Sequence, residues 1–372
     1  MPPSTERPVI AVLCERAPDR PNADGDGPKT AGGERAGSAT GGGGEVAGGG
    51  GAGVAGRGDG LLRPPGVEGR AAGEVEFRYC DADGLREAVR GARVLLLWDF
   101  FSTAVRDVWA DAGTLEWIHV TAAGVDTLLF DELRDSNVVV TNAHGVFDRP
   151  IAEYVLGAVI AHAKDSRHSL DLQRRREWRH RETHTVLGTK ALVVGTGAIG
   201  REIARLLRAA GLQVRGAGRV ARSADPDFGE VIASGNLADE VGEVDHLVLA
   251  APLTAATRGL VDAKVLDAMK PGSHLINVAR GPMVDEAALL NALQDRRIAA
   301  TLDVFDREPL PPDHPLWDAP GATITAHMSG DVIGWRDVLA AQFVDNLQRW
   351  QAGEPLRNVV DKKLGYIPSG AR

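Results

Sequence analysis

Three polar residues in the second half of the chain each follow a short apolar run. The runs read LINVAR, LDVFDRE and TITAH, and they lead to Arg280, Glu308 and His327. In open α/β sheets, ligands bind beyond the carboxyl ends of parallel strands. We therefore expect the three side chains to share one edge of a sheet.

This set of side chains suits the reduction of a 2-oxo acid. The planar guanidinium of Arg280 can bind a carboxylate through two parallel N–H groups and can polarise the adjacent carbonyl. Hydride transfer to that carbonyl leaves negative charge on its oxygen, which a histidine can protonate near neutral pH. A neighbouring carboxylate stabilises the protonated imidazole. We therefore predict Arg280 as the substrate-binding group and His327 as the acid/base, paired with Glu308.

Other histidines offer weaker candidates. His144, in the run TNAHGVF, is the main alternative acid/base because it lies in a predicted interdomain loop. His180 and His184 have a spacing that could suit a metal ion, but no Asp or Cys ligand accompanies them. We predict no metal site.

A glycine motif indicates a dinucleotide site. Gly195, Gly197 and Gly200 follow the apolar run LVV and precede a helical pattern. In this setting the first glycine permits a tight turn, the second lets a pyrophosphate approach the backbone, and the third lets helix and strand pack closely. The helix N-terminus supplies free N–H groups to the phosphates. The alternative is a tight turn with no ligand.

The residues after the next strand favour NADP over NAD. An NAD site places an acidic residue there to bind the ribose diol, whereas Gly218 and Arg219 stand at this point of the chain. An arginine can pair with the 2′-phosphate of NADP. We predict that Arg219 binds this phosphate, with NAD as the second option.

Strands alternate with helices on both sides of one long helical pattern. That pattern begins at Pro150 and is predicted to continue to about Arg175. Before it we predict strands at 8–14, 75–79, 94–98, 117–120 and 138–141, with helices at 84–89, 103–112 and 127–134. After it we predict strands at 191–194, 213–217, 246–250, 274–278, 299–304 and 322–326, then a helical stretch at 329–352. This alternation is typical of α/β domains with doubly wound parallel sheets.

A glycine-rich segment interrupts the first series. Glycine occupies 12 of the 20 positions from 41 to 60. Such a composition cannot bury enough apolar surface to offset the entropy lost on ordering. We therefore predict a disordered insertion over about 17–72.

Composition excludes several classes of partner. The formal net charge of −9 over 372 residues argues against general nucleic-acid binding. Basic residues cluster at 174–181, but Trp178 is the only aromatic among them, which favours a solvated helix face. Cys14 and Cys80 form no disulfide framework. No signal peptide or membrane-spanning run is recognisable, so we expect a cytoplasmic protein without a membrane partner.

Together these motifs resemble the D-isomer-specific 2-hydroxyacid dehydrogenases, and within them the glyoxylate/hydroxypyruvate reductase-like branch. The resemblance runs from about 75 to 366 and includes VVGTGAIG, APLTAATRGLV, INVARGPMVDE, LDVFDREPLPP and TAHMSG. It implies an NAD(P)-dependent oxidoreductase that acts as a homodimer. It also implies a Rossmann cofactor domain (147–327) inserted into a flavodoxin-like substrate domain (1–146 and 328–372).

The resemblance also assigns site residues. The family's catalytic Arg, Glu and His fall on Arg280, Glu308 and His327. Its nicotinamide-carboxamide ligand falls on Asp303, and the remaining cofactor contacts fall on Ala198, Ile199, Pro252, Thr257 and Ala279. The substrate loop falls on 121–124, including Ala123 and Gly124, and Trp98 lies beside the cleft.

Three departures from the family pattern leave the substrate open. Many relatives have a histidine where Ala250 stands, and the substrate loop, often richer in glycine, contains Ala122. Asp-Phe-Phe follows Trp98 and implies a pocket wall of different shape. Glyoxylate and hydroxypyruvate are the default substrates, and larger or aromatic 2-oxo acids are the other option. The alternative function is that of the related co-repressors, which bind a dinucleotide as a sensing module.

Overall fold

The structure, a computed structural model, describes residues 7–17, 59–71 and 75–368. A first parallel sheet has the strand order β2-β1-β3-β4-β5. Its strands are β1 (Val9–Leu13), β2 (Glu76–Cys80), β3 (Ala92–Leu97), β4 (Trp117–Val120) and β5 (Val139–Asn142). This order is that of the flavodoxin-like fold. The central strand β3 is buried from Val94 to Leu97, as its apolar run predicts for a strand covered on both faces.

Helices cover both faces of this sheet. They are α1 (Val67–Arg70), α2 (Leu85–Val89), α3 (Asp131–Asp135) and the C-terminal α10 (Trp335–Ala352), with a 3₁₀ helix at Arg106–Asp111. Phe343 of α10 stacks on Trp117 of β4, with ring centroids 5.4 Å apart. Both rings are fully buried. The last helix therefore packs back on the first sheet.

A second sheet has the order β13-β12-β11-β10-β6-β7-β9-β8, and all its neighbours are parallel except β8 and β9. Its strands are β6 (Lys190–Val194), β7 (Gln213–Gly218), β8 (Arg222–Asp225), β9 (Gly229–Ala233), β10 (His246–Leu249), β11 (His274–Asn277), β12 (Ala299–Leu302) and β13 (Ala322–Ile324). The parallel strands β6 and β10 are neighbours at the point where the order in which strands are added to the sheet reverses, so the switch point of a doubly wound Rossmann sheet lies beyond their carboxyl ends.

The helices of the second unit are α6 (Ala198–Ala209), α7 (Leu237–Glu240), α8 (Ala263–Ala268) and α9 (Glu286–Gln294). Two further helices, α4 (Asp148–Ala163) and α5 (Ser166–Arg174), join the two sheets, and α4 packs against α6. The two sheets confirm the predicted doubly wound α/β fold. No helix in the described part of the chain is long and apolar enough to cross a membrane.

Several predicted boundaries are wrong. The long helix predicted from Pro150 to Arg175 is two helices, because Asp165 adopts a left-handed backbone with φ of 46°. The helix predicted at 103–112 is the shorter 3₁₀ turn, and the last helix begins at Trp335 rather than at residue 329. The hairpin β8–β9 was not predicted.

The predicted disordered insertion extends too far. Of the predicted range 17–72, residues 18–58 and 72 lie outside the described part of the chain, but residues 59–71 are folded. Leu61 pairs with Arg16 in an antiparallel bridge, and Val67 of α1 is fully buried in the core beneath the first sheet. The apolar side chains at the end of the glycine-rich segment can be buried when that end folds. The free energy gained by this burial outweighs the unfavourable composition of the segment as a whole.

Candidate active site

Glu308 and His327 meet at the carboxyl edge of the second sheet. His327 Nδ1 lies 2.7 Å from Glu308 Oε2, and Glu308 Oε1 accepts a hydrogen bond from the Phe305 N–H at 2.9 Å. Burial raises the pKa of the Glu308 carboxyl, but the His327 contact and the Phe305 N–H outweigh it and lower that pKa overall. The carboxylate is therefore held charged beside the imidazole.

Asp303 fixes the segment that carries His327. Its carboxylate accepts hydrogen bonds from Thr325 Oγ1 at 2.6 Å and from the N–H groups of Met328 and Ser329, both at 2.9 Å. Its backbone carbonyl accepts from the His327 N–H at 2.8 Å. These bonds hold His327 in a left-handed conformation with φ of 49°. The observed contacts of Asp303 are thus with the His327 segment, and its contact with a nicotinamide carboxamide stays a prediction.

Arg280 reaches across the cleft to the first sheet. Its Nε donates to both carboxylate oxygens of Asp126 at 3.1 and 3.2 Å, and Nη1 donates to the Ala279 carbonyl at 2.7 Å. Asp126 follows β4 and lies two residues beyond the loop predicted to bind substrate, 121–124. In that loop, a Cβ at Gly124 would collide with Nη2 of Arg280. The guanidinium therefore lies directly on the predicted substrate loop, and Ala123 adjoins the same point.

Asp126 is a site residue that the sequence reasoning missed. The signal was present, since the run TAAGVD after β4 ends in this charged residue, two positions beyond the predicted substrate loop 121–124. Its partner, however, stands 154 positions further along the chain, on the other sheet.

The glycine motif forms a cradle at the start of α6. Gly195 has a φ of 109°, and a Cβ there would lie 2.6 Å from the Ala250 carbonyl oxygen. Gly200 is buried with its Cα against the Gly195 carbonyl. At Gly197, by contrast, a Cβ would meet nothing within 4 Å. No side chain caps the helix, so the N–H groups of its first turn, which contains Ala198 and Ile199, can bind phosphate.

The strand ends beside this cradle supply the other predicted cofactor residues. Ala279 is buried after β11, and Pro252 and Thr257 lie in the loop after β10. The Thr257 hydroxyl donates to the Pro252 carbonyl at 2.7 Å and accepts the Thr254 N–H at 2.8 Å, so it orders that loop. These residues and the cradle fit a dinucleotide across the switch point.

Arg219 lies at the carboxyl end of β7 and is exposed. Its guanidinium lies over the ring of Tyr366, 5.3 Å from the centroid. Arg222 is engaged elsewhere, because its Nε donates to the buried Asp225 at 2.9 Å. Arg219 is thus the cation that stands where an acidic ribose ligand would lie in an NAD site.

Phe101, rather than Trp98, presents an aromatic ring to the acid/base pair. Trp98 is only 7% exposed and belongs to the core. Phe101 is 57% exposed, and its centroid lies 5.3 Å from that of His327, with the ring planes at 76°. Because the Trp98 side chain has little exposed surface, its predicted place beside the cleft stays a prediction.

The alternative histidines lie apart from this cluster. His144 is exposed, and its carbonyl accepts hydrogen bonds from Gln342 and Asn358. His180 and His184 are exposed as well. Within residues 7–17, 59–71 and 75–368, no group of three or more His, Cys, Asp or Glu side chains could hold a metal ion.

Comparison with known proteins gives consistent matches. The family model "D-isomer specific 2-hydroxyacid dehydrogenase, NAD binding domain" matches residues 156–329. The chain is 33% identical to (S)-sulfolactate dehydrogenase of Chromohalobacter salexigens, over 66% of this chain and 80% of the relative. It is 30% identical to glyoxylate/hydroxypyruvate reductase A of Serratia proteamaculans, over 70% of this chain and 84% of the relative.

A solved structure shares the same architecture. A D-isomer specific 2-hydroxyacid dehydrogenase from Xanthobacter autotrophicus Py2, crystallised with NADPH and MES, superposes with a TM-score of 0.68 at 32% identity. The match covers 81% of this chain and 94% of the other.

Proposed function

Because the chain belongs to the D-isomer specific 2-hydroxyacid dehydrogenase family, we propose that it reduces a 2-oxo acid to the 2-hydroxy acid with NADPH. The observation that carries this proposal is the His327–Glu308 pair at 2.7 Å, on the same strand-end edge as Arg280 and the glycine cradle. The activities printed for the relatives favour this reaction over the dinucleotide-sensing role of a co-repressor.

In the proposed mechanism, Arg280 and the backbone N–H groups of the predicted substrate loop bind the substrate carboxylate, apart from the Thr121 N–H, which donates to the Leu97 carbonyl at 3.2 Å. His327 Nε2 donates its proton to the carbonyl oxygen while its Nδ1 stays on Glu308. The nicotinamide, when bound, supplies the hydride that adds to the carbonyl carbon. His327 is left neutral and takes a new proton from solvent. In the reverse direction the neutral imidazole accepts the hydroxyl proton.

NADP is the proposed cofactor, with NAD as the second option. Support comes from the exposed Arg219 at the ribose end of the site and from the absence of a carboxylate at residues 218–219. The NADPH complex of the Xanthobacter autotrophicus relative is consistent with this choice.

The proposed domain roles follow from the two sheets. Residues 147–327 would form the cofactor domain, since the second sheet runs from Lys190 to Ile324 and the family model spans 156–329. Residues 1–146 and 328–372 would form the substrate domain.

We also propose a homodimer. Three large apolar side chains are exposed in α5 and in the stretch after it, namely Leu170, Trp178 and Leu187. Trp178 is fully exposed. An interface between two copies of this chain would remove these side chains from water. A cytoplasmic location stays a prediction.

The test is NADPH oxidation in the presence of a panel of 2-oxo acids. We expect His327→Ala to lower kcat/KM about 10²- to 10⁴-fold, because it removes the proton donor. The matched control is His144→Ala, which removes the other candidate histidine and should leave kcat/KM unchanged. Activity retained in His327→Ala but lost in His144→Ala would reverse the assignment.

A further inference from the structure

Exposed apolar side chains from both sheets border the acid/base histidine. Phe101, in the loop after β3, is 57% exposed, and Met328, directly after His327, is 51% exposed. We call these two residues the apolar rim. The Phe101–His327 ring contact at 5.3 Å places the rim beside the group that would protonate the substrate. A substrate held by His327 therefore presents its C3 substituent close to these side chains.

The rim is held in place from behind. The Phe100 ring lies 4.5 Å from Phe101 and packs edge-on against Trp335 at 6.2 Å. The N–H groups of Phe101 and Ser102 face the half-buried Asp99 carboxylate, and the Ser102 N–H donates to the Asp99 carbonyl at 3.3 Å. Because these contacts fix the loop, little side-chain entropy remains to be lost when a ligand packs on Phe101.

The charges around the rim disfavour a second anionic group on the substrate. Asp99 lies behind Phe101, and Asp331 interacts electrostatically with His327. Arg336 is a cation that follows Asp331 in the chain. Its guanidinium lies over the Trp335 ring at 4.8 Å and faces Asp331, so its charge is already compensated. Arg280, whose Nε and Nη2 are paired with Asp126, is the cation that the proposed mechanism assigns to the 2-oxo acid carboxylate itself. A sulfonate, phosphate or second carboxylate would meet apolar side chains and negative charge.

We propose that the substrate is a 2-oxo acid with an apolar side chain, aromatic or branched aliphatic, that packs on Phe101 and Met328. This inference rests on the proposed function and narrows it. Glyoxylate, which has no side chain, leaves the rim exposed to water. A methylene bound in an apolar pocket changes kcat/KM by about 10-fold or more, so the preference is measurable.

The experiment compares kcat/KM for NADPH-dependent reduction of phenylpyruvate, 4-methyl-2-oxopentanoate, glyoxylate and oxaloacetate. We expect the wild type to prefer the first two over glyoxylate by about 10-fold or more. Phe101→Ala should lower the phenylpyruvate-to-glyoxylate ratio of kcat/KM by a similar factor, and Phe101→Leu should lower it less. Calorimetric titration of D-phenyllactate into the enzyme–NADPH complex should show the same loss of affinity, independently of turnover.

Ile333→Ala is the matched control. Ile333 is an apolar residue of the same segment but is 95% exposed, so its truncation should change neither the ratio nor the affinity. A wild type that prefers glyoxylate or oxaloacetate would overturn the inference and leave the proposed function intact. Equal losses for all substrates in Phe101→Ala would also overturn it, because the ring would then support His327 only. A folded, NADPH-binding wild type that reduces none of the four would refute both.

Discussion

Replacement of Glu308 by glutamine tests how much of the reaction depends on the charge beside His327. In the wild type, one carboxylate oxygen contacts His327 Nδ1 at 2.7 Å and the other accepts the Phe305 N–H at 2.9 Å. A glutamine has one oxygen and one NH₂ group, so it can satisfy only one of these partners in the same geometry. It also removes the negative charge that stabilises the protonated imidazole.

The size of the effect follows from this contact. A hydrogen bond to a charged group contributes about 1.5–3 kcal/mol, and 1.36 kcal/mol corresponds to a tenfold change in rate, so Glu308→Gln should lower kcat/KM by about 10- to 150-fold. The two side chains are 30% and 29% exposed, and solvent screening therefore favours the lower end. The loss should fall on kcat more than on KM, because the proton moves in the transition state.

The assay is steady-state NADPH oxidation with the best 2-oxo acid of the panel. Glu286→Gln is the matched control, since Glu286 contacts His314 Nε2 at 3.0 Å but lies outside the proposed site. It should leave kcat/KM within about twofold, the range of an ordinary surface change. A Glu308→Gln variant that matches the wild type would refute the role of this carboxylate. So would a loss fully explained by a lower Tm or weaker NADPH binding.

Three further predictions concern other groups. Arg280→Lys should lower kcat/KM about 100-fold, because lysine cannot hold Asp126 and also offer a planar pair of N–H groups to the substrate. A loss of kcat/KM below tenfold would contradict this prediction. Arg219→Ala should raise the Kd of NADPH about tenfold or more and should leave the Kd of NADH unchanged. Nicotinamide fluorescence measures both constants, and equal effects on the two would contradict this prediction. Burial lowers the pKa of His119 to about 3 and that of His246 to about 4. Because these values lie below the unfolded value of about 6.5, the unfolded state binds more protons at lower pH. As the pH falls from 6.5 to 4, the free energy of unfolding should therefore decrease by up to about 1.4 kcal/mol per pH unit for each histidine. Urea unfolding at each pH measures this decrease. The fall should be shallower in His246→Leu, and an unchanged slope would contradict this.

Much of the fold could be predicted because buried parallel strands are continuous apolar runs. The predicted strand at 117–120 coincides with β4, and the others fall within a few residues of their observed ends. The hairpin β8–β9 could not be predicted from such an apolar run. Its strand β8 is the polar edge sequence Arg222–Asp225, held by ion pairs between Asp225 and the arginines Arg201 and Arg222. Arg201, which stands 24 positions before Asp225, stabilises that strand, and no local apolar period marks it.

The candidate site also has one part that could be predicted from the sequence and one part that could not. The pairing of Glu308 with His327 could be expected from the strand-end rule, because both residues belong to one sheet. Asp126 and Phe101 come from the other sheet. Their contacts with Arg280 and His327 depend on how the two sheets face each other, and the sequence does not record that relation.

These two contacts make the site dependent on the placement of both sheets. Arg280 is held through Nε by Asp126, and His327 is contacted by Phe101. Separation of the sheets would therefore lengthen the Arg280–Asp126 ion pair and remove the ring from His327 together. The guanidinium would then lose the contact that orients its remaining N–H groups, and the imidazole would become more exposed to water. It follows that the proposed binding of the carboxylate by Arg280, the proposed acid/base role of His327 and the proposed contact of Phe101 with the substrate side chain all require the same arrangement of the two sheets.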